Sequence, residues 1–129
     1  AGHTVAARTL VGDEVAAIEA AVLDAAAVAD AVITTGGTGI TADDVTIDVI
    51  KRLLDVELPG FGELFRARSV EEIGTRAIGT RALAGVRGPT VLVAVPGSTG
   101  AATLGGALIM PELGHLVGLR RRDGDDDAV

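Results

Sequence analysis

Two short apolar runs each lead straight into a glycine-bearing loop, and this junction constrains the fold more than any other feature of the chain. Ala31-Val32-Ile33 runs into Thr34-Thr35-Gly36-Gly37-Thr38-Gly39-Ile40-Thr41, and Thr90-Val91-Leu92-Val93-Ala94-Val95 runs into Pro96-Gly97-Ser98. An apolar run without polar alternation reads as a strand buried on both faces, which needs helices above and below it. Helical periodicity follows each loop: Val45, Val49, Ile50, Leu53 and Leu54 after the first, and a segment from about Thr99 towards His115 after the second. Strand, glycines, helix is the order in which successive backbone N–H groups and the positive end of a helix meet an anion. If the two strands are neighbours, Gly36 to Thr38 and Gly97 to Ser98 form opposite walls of one pocket at the strands' carboxyl ends.

The rest of the chain continues the alternation. His3 to Val11 is expected to be a strand entering a helix that starts near Asp13 and buries Val15, Ile18 and Val22. Leu58-Pro59-Gly60 is expected to break the chain. Ser69-Val70-Glu71-Glu72 has capping-box spacing, which predicts a helix with Ser69 as N-cap running through Ile73 and Ile78. Phe61 and Phe65, the only aromatic residues, are expected to anchor their segment to the core or to another subunit, with Leu113 to Leu119 as a second candidate contact face. Pro111 is expected to kink or divide the last helix. The order of elements predicts an α/β layered fold with a mainly parallel sheet.

At 129 residues the chain is read as one domain over residues 1–119 with a charged, frayed tail over 120–129. A hydrophobic content of 48% excludes a disordered chain. The apolar runs fall short of the roughly 20 residues needed to span a bilayer, and no leader pattern opens the chain, so a cytoplasmic location and no membrane partner are expected. Without cysteine there is neither a disulfide nor a thiolate metal site. A net charge of −7 argues against nucleic acid, whose phosphates need clustered Lys and Arg. Arg66, Arg68, Arg76 and Arg81 read either as a basic patch for a small anion or as solvated arginines balanced by Glu63, Glu71 and Glu72. The acidic composition, with Lys51 as the only lysine, suits a high-salt cytoplasm, although a GC-rich genome produces the same arginine bias.

For chemistry, Asp44 lies where a carboxylate would hold a metal beside an anion bound at the glycine loop. Asp13 reads equally well as a helix N-cap. His3 and His115 have no evident acid–base partner, and His115 is expected at a helix end or an interface.

Taken together, Thr34-Thr35-Gly36-Gly37-Thr38-Gly39, Asp44-Val45-Thr46, Leu58-Pro59-Gly60-Phe61-Gly62-Glu63-Leu64-Phe65-Arg66, Glu72-Ile73-Gly74, Arg81-Ala82, Pro96-Gly97-Ser98 and Pro111-Glu112-Leu113 resemble the MoaB/MogA family of molybdenum cofactor biosynthesis, most closely its MoaB branch. The resemblance covers nearly the whole chain. It implies a three-layer, Rossmann-like α/β sandwich that assembles as trimers or hexamers. It also implies transfer of AMP from Mg-ATP to molybdopterin with release of pyrophosphate, or, alternatively, a non-catalytic molybdopterin carrier or scaffold. A downstream molybdenum-insertion protein is the implied partner. By the same resemblance, Asp44 and Asp13 are catalytic and hold Mg²⁺, while Thr35, Gly36, Gly37, Thr38, Gly39, Gly97 and Ser98 bind the nucleotide and pterin phosphates. The chain departs from the pattern in three ways. The strand and helix with Ser-Asp and Ser-Gly motifs that usually come first are expected to be missing from it, Asp43 replaces an arginine before Asp-Val-Thr, and Ala107 replaces a glutamate.

Overall fold

β4 (Thr90–Val95) is buried along its whole length, and the other elements are arranged around it. β1 (Ala31–Thr35) pairs with it in parallel, from Ala31 opposite Val91 to Thr35 opposite Val95. β3 (Leu83–Arg87) pairs antiparallel on the other side, and the two-residue β2 (Val56–Glu57) pairs antiparallel with β3, giving the order β1-β4-β3-β2. β1, β2 and β4 therefore run one way and β3 runs back between them. The computed structural model describes the backbone of residues 2–127 and side chains as far as residue 122, so the end of the expected tail, at 128–129, lies outside the described residues.

Alternation along β4 separates two apolar layers. Val91, Val93 and Val95 pack on Phe61 and Phe65 of α3 (Pro59–Ile73) and on Ile109, Leu113 and Val117 of α4 (Thr99–Asp127). Leu92 and Ala94 pack on the other side against Ile18 and Val22 of α1 (Val15–Ala26) and Ile47, Ile50 and Leu53 of α2 (Thr46–Leu53). Helices thus cover both faces, which is the layered α/β class expected from the order of elements.

Several local expectations change in the folded chain. His3 to Val11 forms no strand and is exposed throughout, because an extended segment becomes a strand only when another strand takes up its N–H and C=O groups. α1 begins at Val15, with Glu14 rather than Asp13 in the N-cap position. Pro59 opens α3 instead of breaking the chain, since the first helical position has no N–H bond to lose. α3 then runs unbroken past Ser69, which is buried inside the helix rather than capping it, and stops at Gly74, whose φ is 64°. A 3-10 segment, Gly74–Gly79, follows. Phe61 and Phe65 belong to the core, with ring centres 6.1 Å apart.

α4 passes Pro111 and continues beyond His115 to Asp127. Arg120 Nε donates to Gly88 O at 2.7 Å, and Arg121 pairs with Asp30 at 2.6 Å, so residues at the start of the expected tail are tied to the sheet's far end. By length and composition alone, Thr99–Arg122 is apolar enough to cross a membrane. Its Ile109, Leu113 and Val117 are instead buried against β4 as the cover of the sheet.

Phe65 is 1% exposed and Leu64, its neighbour on α3, 59%. Phe65→Ala is expected to lower unfolding free energy by about 3–5 kcal/mol in urea titrations, while Leu64→Ala changes it by about 0.5 kcal/mol or less in the monomeric chain.

Candidate functional site

Because β1 and β4 are parallel neighbours, both glycine loops leave the sheet on the same side. Gly36 N donates to Val95 O at 2.9 Å, carrying the ladder one residue past the end of β1. The loops touch: a Cβ on Gly97 would lie 3.2 Å from Gly36 Cα. Gly36 and Gly37 have φ of 93° and 69°, the left-handed region that other residues rarely enter. Gly37 sits so close to α2 that an added methyl would overlap the Thr46 hydroxyl, and its carbonyl accepts from Ile47 N at 3.3 Å. The loop is therefore seated on the first turn of α2.

Ser98 caps α4. Its hydroxyl accepts from Ala101 N at 3.1 Å and its carbonyl from Ala102 N at 2.9 Å, which leaves the hydroxyl proton for a further acceptor. Thr35 ends β1 in an exposed position, whereas Thr38 is buried. Thr35 to Gly39 and Gly97 to Ser98 are thus brought together as two adjoining walls, with the N-terminus of α4 behind the second.

Asp44 holds the first loop from inside. Its Oδ2 accepts from Thr41 N at 2.9 Å and from the Thr41 hydroxyl at 2.8 Å. The hydroxyl bond and then the amide bond hold the carboxyl below its usual pKa against the opposing effect of burial, and the Gly39 backbone and the Arg81 charge add smaller contributions in the same lowering direction. Gly39 lies against this carboxylate, since a Cβ there would come within 2.6 Å of Oδ2. Asp44 does not cap α2; Val45 occupies that position.

Arg81 holds the loop from outside, a role that local sequence did not reveal. Its Nε donates to Gly39 O at 3.0 Å and to Thr38 O at 3.4 Å, and a terminal nitrogen donates to Gly39 O and, at 3.2 Å, to Asp44 O. Arg66 reaches Ala82 O at 3.4 Å and Arg68 pairs with Glu71 at 3.7 Å, so these three of the four arginines have local structural partners. The sequence places Arg81 in a candidate basic patch and in the Arg81-Ala82 segment of the family resemblance but not against the loop's carbonyls, and β3 was missed because Leu83-Ala84-Gly85-Val86-Arg87 lacks a β-branched run.

Asp13 lies in an exposed bend before α1. No hydrogen bond or ion pair links its carboxylate to Asp44 or to either glycine loop. Among the described residues no cluster of three or more His, Asp or Glu is placed to hold a metal. Both Asp44 bonds to Thr41 fall on Oδ2, and one carboxylate is a donor set that suits Mg²⁺ arriving on a polyphosphate. A groove of about 460 Å³ lined by Leu23, Asp55, Arg87 and Thr90 lies at the opposite end of the sheet. There the Asp55 carboxylate is already engaged by Gly88 N at 2.6 Å and by Arg120 at 3.8 Å. This groove therefore lies apart from the glycine loops, with its carboxylate already paired.

Fold and site define a class: three-layer α/β domains that present paired glycine loops at the carboxyl ends of two parallel strands. Residues 1–115 match the family described as a probable molybdopterin binding domain. Molybdenum cofactor biosynthesis protein B of Staphylococcus epidermidis is 58% identical over 90 residues, 68% of this chain and 51% of that protein, so the chain matches about half the length of that relative. A crystal structure of a Molybdenum cofactor biosynthesis protein B superposes with a TM-score of 0.89 at 46% identity, covering 94% of this chain and 78% of the other. The tungsten cofactor synthesizing protein MoaB from Pyrococcus furiosus superposes with a TM-score of 0.79 at 44% identity, covering 84% and 71%. The chain belongs to the MoaB family of molybdenum cofactor biosynthesis proteins.

The lowered pKa of Asp44 fixes the sign of its pH dependence. The clasp on Thr41 contributes fully above the unfolded-state pKa and is lost as pH falls through the lower, folded-state value. The Thr41 amide resonance is expected to stay constant from neutral pH down through the ordinary carboxylate range and to shift only in stronger acid. A midpoint inside the ordinary range would mean that the clasp does not form in solution.

Proposed function

We propose that this chain binds molybdopterin and Mg-ATP at the paired glycine loops and transfers AMP to the pterin's terminal phosphate. The observation that carries this reading is the contact of Gly36 with Gly97 beside the N-terminus of α4, which brings two glycine loops and a helix N-terminus together where one anionic substrate would bind. A pterin phosphate oxygen attacks the α-phosphorus of ATP, the new O–P bond forms, the bond to the β-phosphate oxygen breaks, and pyrophosphate leaves. No covalent enzyme nucleophile is required. The residues bind and orient: Gly36 to Gly39 and Gly97 to Ser98 line up the phosphates, and Ser98 donates its hydroxyl proton.

Asp43, Asp44 and Asp48 crowd the first loop and the start of α2 with negative charge, against the single Arg81. A bare polyphosphate meets repulsion there, which a bound Mg²⁺ weakens by lowering its negative charge. When bound, Mg²⁺ would neutralise phosphate charge, and Asp44 Oδ1 is the group that would hold it. Asp13 is proposed as a second functional carboxylate on the family resemblance alone. The runner-up reading is a molybdopterin carrier without transferase activity, favoured by the commitment of Asp44 Oδ2 to Thr41 and by Asp43 in place of arginine.

Incubation with molybdopterin and Mg-ATP, following adenylylated pterin and pyrophosphate, separates the two. Asp44→Asn is expected to lower turnover by about 10²-fold or more while the melting temperature moves by only a few degrees. Pterin binding without AMP transfer by the parental protein would establish the carrier instead. Unfolding of the variant would reassign Asp44 to a structural clasp.

Leu64, Val70, Ile73 and Ile78 are 59%, 51%, 49% and 85% exposed along α3 and the 3-10 segment, an apolar load that supports a homo-oligomer. Sedimentation is expected to give a trimer or hexamer, and a monomer at micromolar concentration would rule that assembly out. The proposed setting is the cytoplasm, with the adenylylated pterin passed to a molybdenum-insertion protein.

A further inference from the structure

Every peptide in an anion-binding loop carries a carbonyl oxygen as well as an N–H, and a carbonyl turned towards a phosphate repels it. The carbonyls of Thr38, Gly39 and Asp44 converge instead on the guanidinium of Arg81, at 3.4 Å for Thr38, 3.0 Å from Nε for Gly39 and 3.2 Å for Asp44. A second bond joins a terminal nitrogen to Gly39 O. The other terminal nitrogen reaches Asp48 Oδ1 at 3.5 Å, an exposed pair that contributes little. Arg81 enters β3, where Leu83 is in register with Ala94 of β4, so the guanidinium is anchored to the sheet and not to the loop it holds.

We infer that Arg81 is a positioning residue: it draws the loop's carbonyls to its own side, leaving the N–H-bearing side towards the phosphate, and is not itself the phosphate's charge partner. The inference rests on the phosphate-binding reading of the loop. It separates fork geometry from charge. A planar guanidinium spreads its donors over three carbonyls, whereas a lysine ammonium keeps the charge but concentrates it at one point.

Calorimetric titration with inorganic pyrophosphate and Mg²⁺ tests this without requiring adenylyl transfer. Arg81→Ala and Arg81→Lys are both expected to weaken binding about ten-fold or more, with melting temperatures within a few degrees of the parental value. Arg121→Ala, which breaks the 2.6 Å pair with Asp30 at the far end of the sheet, is expected to leave affinity unchanged. Parental affinity in Arg81→Lys would show that charge alone suffices and would overturn the positioning role. Parental affinity in both variants would overturn any role of Arg81 in binding while leaving the phosphate site intact. Absence of pyrophosphate binding by the parental protein would instead overturn the phosphate-site reading, and this inference with it. Should Arg81→Ala fail to fold, the lysine variant, which retains stem and charge, decides.

Discussion

The parallel pairing of β1 with β4 is the interaction on which the rest of the structure depends. It sends two loops from distant parts of the sequence out of the same end of the sheet, and the Gly36 N–H to Val95 carbonyl bond extends the pairing into the first loop. A side chain on Gly97 would come within 3.2 Å of Gly36 Cα and crowd the contact. The same strand places Val91, Val93 and Val95 in one apolar layer and Leu92 and Ala94 in the other, so the element that aligns the loops also joins the two halves of the core. Stability and site geometry share one origin here.

The first loop is held by polar contacts on two sides. Asp44 ties it from within through Thr41, and Arg81 ties it from behind through three backbone carbonyls. Both ties use groups that would otherwise compete at a phosphate site: a carboxylate that repels the anion and carbonyl oxygens that face it unfavourably. Engaging them in internal hydrogen bonds reduces that competition, although the Gly36 and Thr41 N–H groups are themselves spent on Val95 O and Asp44 Oδ2. On the proposed reading, a chain of net charge −7 would bind an anion through backbone dipoles and not through surface cations.

Much of the fold was legible because its determinants are local. The apolar runs of β1 and β4, the periodicity of α2 and the glycine loops need only neighbouring residues to be recognised. The errors arose where a residue's meaning depends on distant partners. Pro59 and Gly60 read as a break, yet Pro59 opens α3 because Phe61 and Phe65 have a core to enter. Ser69 has cap spacing, but a helix already under way passes through it. His3 to Val11 has strand composition and no strand to pair with among the described residues. β3 was invisible because Ala84 and Gly85 make it small rather than β-branched, a choice explained by Leu54 and the β2 backbone lying against Gly85.

By itself the sequence determined the class of fold, the two glycine loops and the membership of the MoaB family, because these reside in short contiguous patterns that survive without three-dimensional context. The tertiary structure decided which loops meet, that Asp44 is clasped while Asp13 stands apart, and that Arg81, separated from Gly39 by 42 positions, holds the loop's carbonyls. The physical reason is that hydrogen bonds between distant segments depend on strand order and register. Those are set by how the whole apolar core packs, and no local pattern records them.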